Sequence, residues 1–290
     1  MRIAVLILSI LFVSCEKITS HDSTYDICAK MDDPLFVKLC RYYDKNGDGK
    51  VSPFEARSID RITVEQRYLS SMKGIEYFVG LTRLDCPQNN LSSLDLSSNR
   101  NLERLDCGYN ILGSLNVSKN EKLEFLGCEQ NHMSSLTLPK NSLITKLECW
   151  NNDLTLLDVS ESPALVYLDC GKNKLTSLDV TKNANLETLR CEENKLKSLD
   201  LSNNWKLKKL LCYDNELTSL DISTTKLFFD LYSGSFDDIH KKGSGSDLVI
   251  FLSKSQYSMA KSIHYCNAYS DEEFETRMYS QYRIILKKKD

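Results

Sequence analysis

The strongest chemical pattern in the chain lies between Asp44 and Glu55. Asp44, Asn46, Asp48, Ser52 and Glu55 place side-chain oxygens at the first, third, fifth, ninth and twelfth positions of a loop. Lys50 adds a backbone carbonyl at the seventh, and Gly49 permits the sharp turn at the sixth. Oxygen donors at this spacing suit a hard cation, and Ca2+ takes about six to eight of them. The expected set is the carboxylates of Asp44 and Asp48, the Asn46 amide, the Lys50 carbonyl, Ser52 directly or through water, and both oxygens of Glu55. Apolar residues at helical spacing over 35–43 and 53–62 predict an entering and an exiting helix. A second loop of this kind is not found in the sequence, so the expected role of the ion is structural, holding two helices over the first repeat.

Cysteine chemistry is the next candidate, because eleven cysteines are many for a chain of this length. Seven of them, Cys86, Cys107, Cys128, Cys149, Cys170, Cys191 and Cys212, recur with a constant step of 21 residues. A thiolate metal centre needs ligands that converge on one point, whereas one cysteine per repeat spreads them along an axis. A buried thiol behaves as a small hydrophobe, and an interior row is the expectation. Off the row, Cys28 and Cys40 either form a disulfide or stay as two buried thiols. His264 and Cys266 flank one tyrosine and are not taken as a nucleophilic pair, and His21, His132 and His240 are scattered. No catalytic constellation stands out, and enzyme activity is not expected.

Each of the seven cysteines belongs to the pattern L-x-x-L-x-C-x-x-N. The opening residues are Leu81, Leu102, Leu123, Ile144, Leu165, Leu186 and Leu207, and the asparagines are Asn89, Asn110, Asn131, Asn152, Asn173, Asn194 and Asn215. Within each unit a second half repeats the theme, as in Leu91-Ser-Ser-Leu94-Asp-Leu96. Period-two apolar spacing in both halves predicts two short strands per coil and two parallel ladders. A 21-residue coil with two strands and two turns has no room for a helix, so a solenoid with little convex helix is expected. The asparagines are assigned to the turns, where their amides satisfy backbone groups.

The repeat resembles the short bacterial leucine-rich repeats built from nested ten- and eleven-residue units, common in surface lipoproteins of the Bacteroidetes, and the calcium pattern is that of an EF-hand loop. The resemblance covers about half the chain and implies a non-enzymatic, surface-anchored binding protein. At the N-terminus, Met1-Arg2, an apolar run from Ile3 to Val13 and then Ser14-Cys15 resemble a lipoprotein processing site, with Cys15 as the acylated residue. The expected location is therefore the outer membrane, at the cell surface, with membrane contact through the anchor alone. The expected organisation is a signal peptide over 1–14, a helical segment with the calcium loop over 15–68, the solenoid over 69–231 and a mixed α/β cap over 232–290. Leu69 to Met72 and Ile75 to Phe78 read as degenerate coil segments. Phe228 to Leu231 reads as a coil that fails, and the cap is expected to hold a strand over 248–252, a helix over 272–279 and a strand over 282–286.

Charge points away from nucleic acid. Lys and Arg number 37 against 40 Asp and Glu, a net charge of −3, which sets up no basic field. Binding is the remaining function, and its location follows from which rows vary. The strand residues facing away from the core in the cysteine-bearing half are diverse, whereas the other half repeats Ser93, Ser114, Ser135, Ser177, Ser198 and Ser219 beside Asp95, Asp158, Asp179, Asp200 and Asp221. Phe125, Trp150, Tyr167 and Tyr213 are the candidate ligand-binding residues, since aromatics supply much of the energy of an interface. The expected partner is a protein; the alternative is a glycan stacked on Trp150 and the tyrosines. The sequence does not specify an oligomeric state.

Overall fold

The computed structural model describes residues 25–66, 68–226, 248–253, 266–268, 273–276 and 284–288. Its centre is a stack of short parallel strands, one per coil: β1 (Arg61–Thr63), β2 (Arg83–Asp85), β3 (Arg104–Asp106), β5 (Phe125–Gly127), β7 (Lys146–Glu148), β8 (Tyr167–Asp169), β9 (Thr188–Arg190) and β10 (Lys209–Leu211). From β2 onward each strand pairs with the one 21 residues later in unbroken register, Arg83 to Arg104 to Phe125 to Lys146 and so on to Lys209. The middle residue of each strand points inward, and the cysteine two residues later does the same. All seven row cysteines are buried and unbridged. Above and below them run rows of fully buried leucines, including Leu81, Leu102 and Leu123 and then Leu91, Leu112 and Leu154.

Asparagine locks each coil to the next. The residue before it sits in the left-handed region, with φ between 48° and 56° at Gln88, Tyr109, Gln130, Asn151, Lys172, Glu193 and Asp214. That turn swings the asparagine inward, where it is bound at both ends of its amide. Asn131 Nδ2 donates to the carbonyls of Cys107 in the preceding coil (3.2 Å) and Cys128 in its own (3.1 Å). Its Oδ1 accepts from the backbone of Leu112, 2.9 Å away. Asn110, Asn152, Asn173 and Asn194 repeat the arrangement. A buried backbone N–H left without a partner costs about 1–3 kcal/mol, so the side chain stands in for a strand neighbour that the turn cannot supply.

The second half of the coil departs from the expected continuous ladder. Among the described residues, strand pairing there is confined to β4 (Ser114–Asn116) with β6 (Ser135–Thr137), and to β11 (Ser219–Asp221), which pairs onward with β12 (Leu248–Leu252). On this side the coils are joined by a second row of buried amides instead. Asn120 Nδ2 donates to Leu96 O and Asn99 O, and Asn183 and Asn204 bond in the same way. Side-chain amides thus carry inter-coil bonds that strand pairing would otherwise make.

Both ends differ from the sequence expectation. The entering helix is α1 (Pro34–Cys40), followed by a single 3-10 turn at Arg41–Tyr43. The exiting helix α2 is only Pro53–Ala56, and Arg61–Thr63 is strand, paired with Arg83–Asp85. Ile62 and Val64 are buried where the next coil holds Leu84 and Cys86, and a β-branched Ile-Thr-Val run favours the pleat over a helix. Asp33 caps α1 and also accepts from Ser70 N at 2.7 Å, while Phe36 packs on Phe78 with ring centroids 6.3 Å apart, so the helical segment covers the first coil. Cys28 and Cys40 are joined by a disulfide, with Cα atoms 6.2 Å apart. At the other end, β13 (Cys266–Ala268), β14 (Glu273–Thr276) and β15 (Ile284–Lys288) join β12 in one sheet. The expected helix over 272–279 is corrected by β14, whose alternating Glu-Phe-Glu-Thr pairs antiparallel with β15. The failing coil at Phe228 to Leu231 lies outside the described residues.

The clamp is open to a direct comparison. Asn131→Ala removes the partner of the buried Leu112 amide and is expected to cost roughly 1–3 kcal/mol in urea denaturation, whereas Ser135→Ala, on an exposed row, should stay within about 0.5 kcal/mol. Equal losses would contradict the assignment.

Candidate functional site

The outer side of the eight-stranded sheet brings most of the candidate residues onto one surface. From β2 onward the first residue of each strand forms a row of Arg83, Arg104, Phe125, Lys146, Tyr167, Thr188 and Lys209, set at neighbouring positions by the register. Strand spacing of about 4.8 Å brings successive side chains into contact. Here cations and rings alternate. The Arg104 guanidinium lies 3.7 Å from the Phe125 ring centroid, and Lys146 Nζ stands 5.3 Å from Phe125 and 5.0 Å from Tyr167. Such contacts contribute about 0.5–1 kcal/mol at exposed sites.

The third residue of five of the eight strands, Asp85, Asp106, Glu148, Asp169 and Arg190, adds charge. Asp85 is buried and faces three arginines, Arg61 at 3.9 Å, Arg83 at 2.5 Å and Arg104 at 3.2 Å. Lys146 pairs with Glu148 at 3.0 Å, and Arg190 bridges Asp169 at 3.2 Å and Glu192 at 2.9 Å. One row further on, just past the cysteines, Trp150 meets Tyr109 edge-on with centroids 6.3 Å apart. Tyr109 belongs to the coil two before Trp150, so the pair spans the coil that carries Glu129 and Gln130. Glu129 folds back over Gly108, where an added Cβ would stand 2.6 Å from its Oε1, and Glu192 does the same over Gly171. In both places the carboxylate end of a glutamate fills the space that a Cβ would take.

Glu129 lies in an electrostatically unfavourable place. Its Oε2 is buried without a hydrogen-bond partner. Burial first, and then the charges of Asp106, Glu148 and Asp169, raise its pKa from 4.5 to about 7. Asp169 is likewise pushed up by burial, to about 6, although Arg190 opposes the shift. Of the four expected contact residues, Phe125 and Tyr167 share one row with Lys146 between them, and Trp150 stands in another row, one residue past its cysteine, where it meets Tyr109. Tyr213 is in Trp150's row but three coils on, so it does not join the others. The Tyr109 contact, the Asp85 hub and the folded glutamates were not anticipated; the 21-residue step already placed Gly108 beside Glu129, but not the direction in which the glutamate leans.

The loop from Asp44 to Glu55 is the second candidate. Gly47 and Gly49 take left-handed φ values of 73° and 80°. Asp44 accepts from the amides of Gly47 and Gly49, Asn46 Oδ1 from Asp48 N, and Asp48 Oδ1 from Lys50 N. Glu55 reaches back across the loop, its Oε1 accepting from Lys45 N at 2.9 Å and Asn46 N at 3.3 Å, while Oε2 forms a capping box with Ser52. The last carboxylate is thereby held against the first residues of the loop, and the oxygen-only donor set with this closure fits a calcium ion. Among the described residues no three acidic, His or Cys side chains are gathered on one point. Cys15 lies outside the described residues.

No family model and no curated protein matches the chain. Solved structures do. The functional domain of InlJ from Listeria monocytogenes, which includes a cysteine ladder, is 26% identical over 79% of this chain and 56% of its own, with a TM-score of 0.51. Internalin C2 from the same organism is 20% identical over 68% of this chain and 90% of its own, TM-score 0.53. A leucine-rich repeat protein of Leptospira interrogans is 19% identical over 67% and 55%, TM-score 0.50. The chain thus spans little more than half of the first and third. The fold is a leucine-rich repeat solenoid, as the repeat pattern implied.

The Glu129 niche sets a pH dependence. Because the folded pKa lies above 4.5, the stability this group contributes is complete below about pH 4.5 and is lost as pH rises through about 7. Glu129→Gln should therefore exceed the parent by roughly 1–3 kcal/mol at pH 8 and by much less at pH 5, in urea denaturation. The same difference at both pH values would contradict this account.

Proposed function

We propose that the chain is a non-enzymatic protein-binding scaffold whose recognition surface is the outer side of the eight-stranded sheet. The observation that carries this is the contrast between rows on one rigid ladder. Interior positions repeat Leu and Cys, and the opposite side repeats Ser and Asp. The sheet face changes type from coil to coil, through Arg104, Phe125, Lys146, Tyr167 and Thr188. Alternating cations and rings, backed by Asp85, Glu148 and Asp169, offer charge and apolar surface together, which suits a protein epitope.

The glycan alternative has less support. A sugar stacks on a free aromatic face, and here Arg104 and Lys146 lie against Phe125 while Lys146 lies against Tyr167. Trp150 is half-buried with its contact to Tyr109.

Two further parts of the proposal rest on sequence. Export and acylation at Cys15 would tether the scaffold at the cell surface, supported by the apolar run that precedes Ser14-Cys15. A calcium ion in the 44–55 loop would be held by Asp44, Asn46, Asp48, Lys50, Ser52 and Glu55. Bound there, it would supply the positive charge that cross-links the two short helices against the first coil.

Binding to a protein array and a glycan array, followed by titration of the best ligand, tests the surface. A protein ligand is expected, at least tenfold weaker with Phe125→Ala or Tyr167→Ala, which is about 1.4 kcal/mol, and unchanged with Ser177→Ala on the opposite side. A glycan as sole ligand, or a loss confined to Ser177→Ala, would overturn the proposal. For the anchor, labelled palmitate should enter the parent protein and not Cys15→Ala; equal labelling of both would refute acylation at Cys15.

A further inference from the structure

The calcium-type loop is single, yet its second half is braced from outside. Val51, at the eighth position, is fully buried. Its carbonyl accepts from Ile27 N at 2.9 Å and its N–H donates to Asp26 Oδ1 at 3.1 Å. Asp26 is itself held by Cys28 N and by an ion pair with Arg41, 2.7 Å from Oδ2. Arg41 also donates to Gly49 O at 2.8 Å. Cys28 and Cys40, the neighbours of these residues, are joined by the disulfide.

The consequence follows from peptide planarity. Three consecutive peptide units are tied at named atoms: Gly49 O with Lys50 N, then Val51 N, then Val51 O with Ser52 N. The Val51 N–H and the Lys50 carbonyl belong to the same planar trans unit, so pinning the N–H to Asp26 points the carbonyl the opposite way. Lys50 is the residue whose backbone oxygen the calcium pattern uses. Bonding at the N–H also polarises that carbonyl, strengthening it as a ligand.

We propose that Asp26 is the positioning residue of the loop, presenting the Lys50 carbonyl to calcium, and that the Cys28–Cys40 disulfide keeps Asp26 in place. The inference rests on the calcium reading above. An external segment thus does for this lone loop what a second loop does in a pair.

Calorimetric titration with Ca2+ of the parent protein, Asp26→Ala, Asp26→Asn and the double variant Cys28→Ser/Cys40→Ser is the test. Asp26→Ala should weaken binding about tenfold or more, the range typical of residues that orient metal ligands. Asp26→Asn keeps an acceptor for Val51 N–H and should recover most of that loss, and the double variant should fall between. The Lys50 carbonyl 13C resonance should move on calcium addition in the parent and in the Asn variant, which keeps the test available should the Ala variant fail to fold. An affinity in Asp26→Ala within about twofold of the parent, a loss in Asp26→Asn as large as in Asp26→Ala, or an unmoved Lys50 resonance overturns the role of Asp26 while leaving calcium binding standing. No uptake by the parent overturns calcium binding and this inference with it.

Discussion

The inter-coil bonds of the buried asparagines are the constraint from which the rest of the molecule follows. Each strand of the eight-stranded sheet is only three residues long, too short to fix a register by itself. The amide at Asn110, Asn131 and their successors donates to the carbonyl of its own cysteine and to that of the cysteine in the coil before, and it accepts a backbone N–H from that earlier coil. A shift by one residue would break all these bonds at once. Register is therefore set by side chains acting as backbone surrogates, and the hydrophobic rows then supply most of the stabilisation.

Fixed register forces like positions to stack, and the chemistry of each row answers to that. Thiols and leucines stack without difficulty. Outward rows of ionisable groups would repel, and the sheet face avoids this by mixing types: three arginines around Asp85, Arg190 between Asp169 and Glu192, lysine and arginine between aromatic rings. Where the mixing fails, around Glu129, a carboxyl is left buried with a partnerless oxygen under neighbouring negative charge. The same mixing gives the surface its individuality, which is why recognition is placed there and not on the serine-rich side.

The solenoid was legible because a step of 21 residues repeats at three residue types at once, and period-two spacing names the strand. The interior row of sulfurs and the turn asparagines followed directly. Less legible was anything decided by competition between elements. The segment after Glu55 carries apolar residues that fit a helix, but Ile62 and Val64 also fit the places of Leu84 and Cys86, and joining an existing ladder buries them completely. Glu273–Thr276 became strand for a similar reason, because β15 offers it an edge. The second amide row, at Asn99, Asn120, Asn183 and Asn204, was present as a periodicity and overlooked beside the stronger cysteine signal. The bracing of Val51 by Asp26 and Ile27 had no signal at all, since it joins residues 25 apart with no repeat between them. Of the face, the rows were readable; which side chains lean together, as Tyr109 does toward Trp150, depends on rotamers that a pattern does not encode.

Side-chain amides replace strand neighbours from coil to coil, and hydrogen exchange of single backbone amides is the decisive measurement. Leu91, Leu112, Met133, Leu154, Leu175 and Leu196 each donate to an asparagine Oδ1. The account predicts that these turn amides exchange as slowly as the strand amides of Leu126 and Leu147. Exchange at the rate of exposed loop amides would contradict it.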